Sequence, residues 1–252
     1  MERLLLSRAK LWGKWLLFPG LDLNTRCRYR FLPPFFRSGL IDTLDAGCGN
    51  GALSYAAYRL GNRVLGVTYD EVEVTKARDL FDLVGTDNGR LRFELCNLYN
   101  LRRLDQKFDQ IICSETLEHL DRDQEVVRIF YDILKDGGVL HLCCPYALHP
   151  DHALGRNHGP EDGGHVRDGY TLESYRALLE PVGFKIVANA GLGTPFLQRL
   201  DRAVRCLRIK WGDIGALPLF LVIWPLLRFD SLDPKVPFSL YVQAIKGFSP
   251  EG

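Results

Sequence analysis

The stretch Leu44-Asp45-Ala46-Gly47-Cys48-Gly49-Asn50-Gly51-Ala52-Leu53-Ser54 decides the fold. It enters as an apolar strand, passes three alternating glycines and leaves as a helix. Glycine lets backbone approach a ligand closely, and the first N–H groups of the helix point at that ligand. Asp45 closes the strand, just ahead of the glycines. A carboxylate at that point repels a phosphate and attracts an ammonium group. This one position therefore separates two kinds of polar ligand.

Outward from this stretch, strand and helix signals alternate. Strands are expected near 41–46, 63–68, 90–95, 108–113 and 139–145, with helices near 52–60, 71–83 and 123–134 between them. Such alternation predicts a parallel sheet with helices on both faces. A helix opening at Thr171, an N-cap residue, precedes a sixth strand near 183–187. A last strand over 238–246 pairs antiparallel at the edge. The chain divides into a helical cap (1–36), a core (37–190), an apolar helical insertion (191–237) and the final strand with its tail (238–252).

At 252 residues and a net charge of +1, the chain holds one good core and gives no argument for nucleic-acid binding. Its seven cysteines include no Cys-x-x-Cys pair and several sit in apolar runs, which reads as reduced thiols in a cytoplasmic protein. Residues 1–18 place Leu4, Leu5, Leu11, Trp12, Trp15 and Leu16 among Arg3, Arg8, Lys10 and Lys14. That is an amphipathic basic helix and not a signal peptide, because the charges interrupt any apolar core. It packs over the core or meets an anionic membrane. Residues 214–227 carry no charge, yet are shorter than the ~20 residues of a spanning helix and contain Pro218 and Pro225. They form a lid or rest in a membrane interface, so peripheral contact with the inner membrane surface stays open.

The first stretch resembles the first motif of the class I S-adenosylmethionine-dependent methyltransferases, an acid followed by Gly-x-Gly-x-Gly. The resemblance covers about 40–190 and the last strand. It implies a Rossmann-like α/β fold with a seven-stranded, mostly parallel sheet. It also implies S-adenosylmethionine held by Asp45, Gly47, Cys48, Gly49 and Asn50. Thr68 stands where family members commonly place a ribose-binding acid, with Tyr69 beside the adenine position. Asn97 replaces a frequent Asp but keeps an acceptor for the adenine amino group. Leu98 and Ser114 complete the cofactor set. "LKDGGVL" (134–140) and the turn at Gly183-Phe184 also match the superfamily.

Ser114-Glu115-Thr116-Leu117-Glu118-His119-Leu120 is the second resemblance, an apolar strand running into Glu-x-x-Glu-His. On a helical turn Glu115, Glu118 and His119 share a face. Three roles stay open for them: structural, a general base from His119 or Glu115, or ligands to a divalent metal. The metal role is implied only by similarity to the ubiquinone-biosynthesis O-methyltransferases, and no metal is assigned. The irregular loop 146–169 holds His149, His152, His158 and His165. There Gly164-His165-Val166-Arg167 resembles a pattern of small-molecule and glycan-associated methyltransferases, making His165 a further catalytic candidate. Arg26, Tyr29, Tyr146 and Arg167 are the substrate-side candidates, with Arg30 beside them. The acceptor is a small molecule or is linked to lipid or glycan, and oxygen is the favoured atom because the histidines offer bases. Two alternatives remain. Gly47, Gly49 and Ala52, with Asp70, fit the fingerprint of an NAD(P)-dependent oxidoreductase. Thr68 fits a non-catalytic docking module on the same fold.

Overall fold

Seven strands form a single sheet: β1 (Asp42–Ala46), β2 (Arg63–Thr68), β3 (Leu91–Leu95), β4 (Phe108–Ser114), β5 (Leu134–Pro145), β6 (Phe184–Leu192) and β7 (Ser239–Lys246). The computed structural model describes residues 11–87, 89–152 and 159–247. The spatial order is β3-β2-β1-β4-β5-β7-β6. Strands β1 to β5 pair in parallel, and β7 runs antiparallel to both β5 and β6. This is the Rossmann-like, mostly parallel sheet that the alternating signals predict.

The central strands read as near-continuous apolar runs because helices cover both faces. On one face α4 (Asp123–Ile133) and α5 (Leu172–Leu179) bury Val126, Phe130, Tyr175 and Leu179 against Leu44, Ile111 and Leu140. On the other, α1 (Leu23–Phe31), α2 (Ala52–Arg59), α3 (Glu71–Leu83) and α6 (Pro195–Ile223) bury Leu23, Ala57, Phe81 and Phe220 against Val64 and Ile112. A short helical segment over 11–16 leads into this second layer, with Trp15 edge-on to Tyr55 and Phe81. Residues 1–10 of the expected amphipathic helix lie outside the described residues.

Two elements are longer than the sequence suggests. β5 begins at Leu134, directly after α4, so the LKDGG turn is a bulged part of the strand with a register shift opposite Phe108 and Gln110. β6 reaches Leu192 because β7 pairs with it out to Ser239, past a register shift between Ile186 and Ala188.

A buried polar network crosses the sheet. Gln110 donates to Thr43 and Asn62, and its Oε1 lies 2.9 Å from His141 Nε2. Tyr241 Oη sits 2.8 Å from His141 Nδ1. Every member has a partner, which is what makes such a network tolerable in a core. Burial pushes His141 down to about 3, so it is neutral at physiological pH.

Candidate functional site

Open α/β sheets bind ligands beyond the carboxyl ends of their strands. Here a cleft of about 480 Å³ lies there, lined by Gly47 and Gly49 after β1, by Thr68 to Glu73 after β2 and by Cys96 to Leu98 after β3. Glu115, Thr116, His119 and Leu120 after β4 close the third side, and Glu161 to Gly163 of the long loop close the fourth.

The glycine loop is shaped for close approach. The N–H groups of Gly47 and Cys48 both donate to the carbonyl of Val67, tying the loop to β2. At Gly47, φ is +80°, and a Cβ would lie 2.2 Å from Thr116 Oγ1. Only glycine fits that position without strain. Gly49 has open space where a Cβ would stand, so backbone there faces the cleft. Asn50 braces the loop: its amide donates to the carbonyl of Pro19 and its Oδ1 accepts from Ala52 N–H.

Asp45 lies under this loop and does not line the cleft. It is 2 % exposed, and its Oδ2 accepts the Ser54 hydroxyl at 2.6 Å. Burial pushes its carboxyl up to about 6. Cys48 is also buried, with its thiol pushed up by burial and by Asp45. At the end of β2, Thr68 donates to Glu73 Oε2 at 3.0 Å, and both face the cleft. Tyr69 is 73 % exposed and borders the opening beside Gly163. Asn97 caps its own turn, Oδ1 accepting from Tyr99 N–H at 3.0 Å, and lines the cleft with Leu98. Ser114 stands outside the lining with a buried hydroxyl that has no partner among the described residues.

The Glu-x-x-Glu-His stretch is not the shared helical face that its spacing suggests. Glu115 N–H extends the β4–β5 ladder to Cys143, and Glu115 takes a positive φ of 53°. Only Leu117–His119 then turn, as a short 3₁₀ segment. The side chains therefore diverge. Glu115 pairs with Arg28 at 3.4 Å and accepts from Ser239 at 3.0 Å. Glu118 points inward: it is wholly buried, neither carboxylate oxygen has a hydrogen-bond partner among the described residues, and burial raises its carboxyl to about 8. His119 Nδ1 lies 2.9 Å from the carbonyl of Gly164. The His165 ring meets His119 edge-on at 4.7 Å. Burial, then the neighbouring His119, lowers His165 below its ordinary value. Ligand atoms of Glu118, His119 and His165 lie within 4.8 Å of one another.

The four substrate-side candidates lie away from the cleft lining. Arg26 is buried, donates to the carbonyls of Gly20 and Leu17, and stacks over Phe220 and Trp224. Tyr29 packs edge-on to Phe18 in the second apolar layer. Arg167 pairs with Asp123 and donates to the carbonyl of Leu120, bracing the loop from below. Tyr146 pairs through its backbone with Tyr170 and Phe238. Arg30 is exposed and donates to the carbonyl of Leu227. His149 and His152 pack on Phe238, and His158 lies outside the described residues.

The lining also includes residues that the sequence did not single out: Glu73, Cys96, Thr116, Leu120, Glu161, Asp162 and Gly163. Asp70, Glu73, Glu115, Glu161 and Asp162 supply carboxylates, while no lysine or arginine lines the cleft among the described residues. Glu73 had a legible signal, since it sits one turn into a helix capped by Asp70 and five residues after Thr68.

The sheet order, the glycine loop and the cleft are those of a Rossmann-like α/β domain. Residues 44–142 match the family model described as "Methyltransferase domain". Among curated proteins, the chain is similar to the mitochondrial ubiquinone biosynthesis O-methyltransferase of Mus musculus. The two are 27% identical over 184 residues, covering 63% of this chain and 49% of that protein. The chain thus spans about half the length of that relative. Among solved structures it superposes on magnesium protoporphyrin IX methyltransferase from Synechocystis with bound S-adenosylhomocysteine (SAH), with a TM-score of 0.57. Identity is 16%, and the match covers 90% of this chain and 83% of that one. It superposes equally on the cyclase SpnF, with a TM-score of 0.60, 18% identity and coverage of 91% and 81%. These two likenesses establish the fold.

Proposed function

We propose that this chain is an S-adenosylmethionine-dependent methyltransferase acting on an oxygen of a small-molecule, glycan or lipid-linked acceptor. One observation carries the cofactor: among the described residues that line the cleft there are five carboxylates, of which Glu115 alone is paired with an arginine, and no lysine or arginine. Such a site repels the pyrophosphate of a dinucleotide and favours a ligand bearing sulfonium and ammonium charges. Glu73, held by Thr68, presents acceptor oxygens at the end of β2 for a ribose, and Asn97 and Leu98 take the base. S-adenosylmethionine supplies an activated methyl group; the protein has to align the acceptor and receive its proton.

The proton acceptor in this reading is His119. Its Nδ1–H donates to the carbonyl of Gly164, which leaves Nε2 as the basic atom. His165, kept neutral, closes the same corner. The same geometry favours a second reading, a divalent cation held by Glu118, His119 and His165. Buried Glu118 supports it, because a cation would take the place of the proton that burial holds there and satisfy oxygens that have no hydrogen-bond partner among the described residues. The ubiquinone relative is an O-methyltransferase by name, which agrees with an oxygen acceptor.

The test is turnover on a panel of phenolic, amine and activated-carbon acceptors, with SAH release and the site of methylation read by mass spectrometry. The expected result is oxygen methylation of a phenolic acceptor, lowered about 10²–10⁴-fold in kcat by His119→Ala while SAH affinity holds. Methylation at nitrogen or carbon overturns the oxygen reading, and a wild-type rate in that variant overturns His119 as its base.

A further inference from the structure

Helix α6 with the short helical turn after it, 195–229, is long and apolar enough to pass for a membrane span, yet it is built otherwise. Gly212, at φ 70° and ψ −175°, breaks it into two arms. Leu197, Val204, Ala216, Phe220 and Ile223 are buried in the second apolar layer, so both arms lie along the domain. The outer side of the same arms is apolar too. Ile209, Trp211 and Ile214 flank the break at 82 %, 60 % and 87 % exposure, and Val222, Trp224 and Phe229 continue the exposed set.

Basic side chains outnumber acids around this surface. Residues 195–230 carry Arg199, Arg202, Arg205, Arg208, Lys210 and Arg228. Of the three acids in that stretch, Asp201 and Asp230 are buried and Asp213 is exposed; Asp213 pairs with Arg208, Asp201 with Arg205, and Asp151 with Arg202, which leaves Arg199, Lys210 and Arg228 outside any ion pair among the described residues. The described N-terminal helix extends the surface with exposed Trp12 and Leu16. It shares a support with α6: Arg26 donates to the carbonyl of Leu17 and stacks under Phe220 and Trp224.

We propose that this kinked surface docks the protein on an anionic lipid bilayer, with Ile209, Trp211 and Ile214 entering the headgroup boundary and Arg199, Lys210 and Arg228 meeting lipid phosphates. Apolar side chains with tryptophan beside a basic rim are the chemistry of an interfacial helix. Neutral membranes and acidic protein partners each use only half of it. The inference is independent of the cofactor, since none of these residues lines the cleft.

The experiment is sedimentation of the full chain with vesicles of phosphatidylcholine, alone or mixed with phosphatidylglycerol. Wild type is expected to pellet with the mixed vesicles about tenfold more strongly than with phosphatidylcholine alone. The double variant Trp211→Ala/Ile214→Ser is expected to lose about tenfold in vesicle affinity, with an unchanged thermal melt and unchanged SAH binding. Lys210→Glu is expected to weaken binding to the mixed vesicles alone. No pelleting with either vesicle, or equal pelleting of the double variant, overturns the proposal. A lipid-free dimer that the double variant dissolves assigns the surface to a second copy of the chain and overturns it equally.

Discussion

Asp45 is a buried carboxylate that weakens the fold, and Asp45→Asn measures what it is for. Its side chain is closed off except for the Ser54 hydroxyl, and burial pushes its carboxyl from 3.8 to about 6. The unfolded chain releases this proton first, so stability falls as pH rises between those two values. A shift of about two units costs about 3 kcal/mol, all of it present at neutral pH. Asparagine keeps the shape and the acceptor for Ser54 while removing the charge. Its new N–H donors find no evident acceptor, which returns about 1 kcal/mol. The variant should therefore be about 2 kcal/mol more stable at pH 8, or ~4–8 °C in Tm, with the gain gone at pH 4. Function should move the other way. The negative charge under the glycine loop attracts the ammonium group of a ligand above it, so SAH affinity should drop about tenfold. In wild type the same affinity should weaken below about pH 6, as Asp45 takes up its proton. Thermal melts at pH 8 and pH 4 and calorimetric titration on either side of pH 6 provide both readouts. A variant that melts lower at pH 8 and binds SAH as wild type does refutes the reasoning.

Other perturbations probe other parts of the structure. Gly47→Ala drives a Cβ into Thr116 at a positive φ, so it should lose about 1–3 kcal/mol of stability in a denaturant melt and most SAH binding. His141 is held neutral, with its value lowered to about 3, so stability present above pH 6.5 should fall as pH drops toward 3. His141→Gln should flatten that slope in acid titrations followed by circular dichroism. If Glu118, His119 and His165 hold a divalent ion, Zn²⁺, Mn²⁺ or Mg²⁺ should raise the wild-type Tm and leave Glu118→Gln unmoved. Equal shifts in both proteins place the ion elsewhere.

Much of the fold was legible because buried parallel strands have to be apolar runs, and because a glycine-rich strand-to-helix turn allows few alternatives. The glycine side of the cleft was legible for the same reason. Other parts were not. Arg26 and Arg167 read from sequence as ligands for a substrate, yet each guanidinium finds carbonyl or carboxylate partners within the protein. Spacing does not reveal such pairings, which join elements far apart in the chain. Glu115 and Glu118 share a face on an ideal helical turn, but the ladder bond to Cys143 makes the first residue part of the strand and sends the two carboxylates in different directions, Glu115 to Arg28 and Ser239 and Glu118 into the core. Glu161 and Asp162 reach the cleft through a loop with no periodicity to read, where Glu161 accepts from the Tyr99 hydroxyl and the Asp121 N–H.

The account rests on the cleft being a site for S-adenosylmethionine, and calorimetric titration of the purified, cofactor-stripped protein with SAH tests it most directly, with NAD as the control ligand. The account predicts micromolar binding of SAH and none of NAD. NAD binding of equal strength, or a folded protein that binds neither, contradicts it.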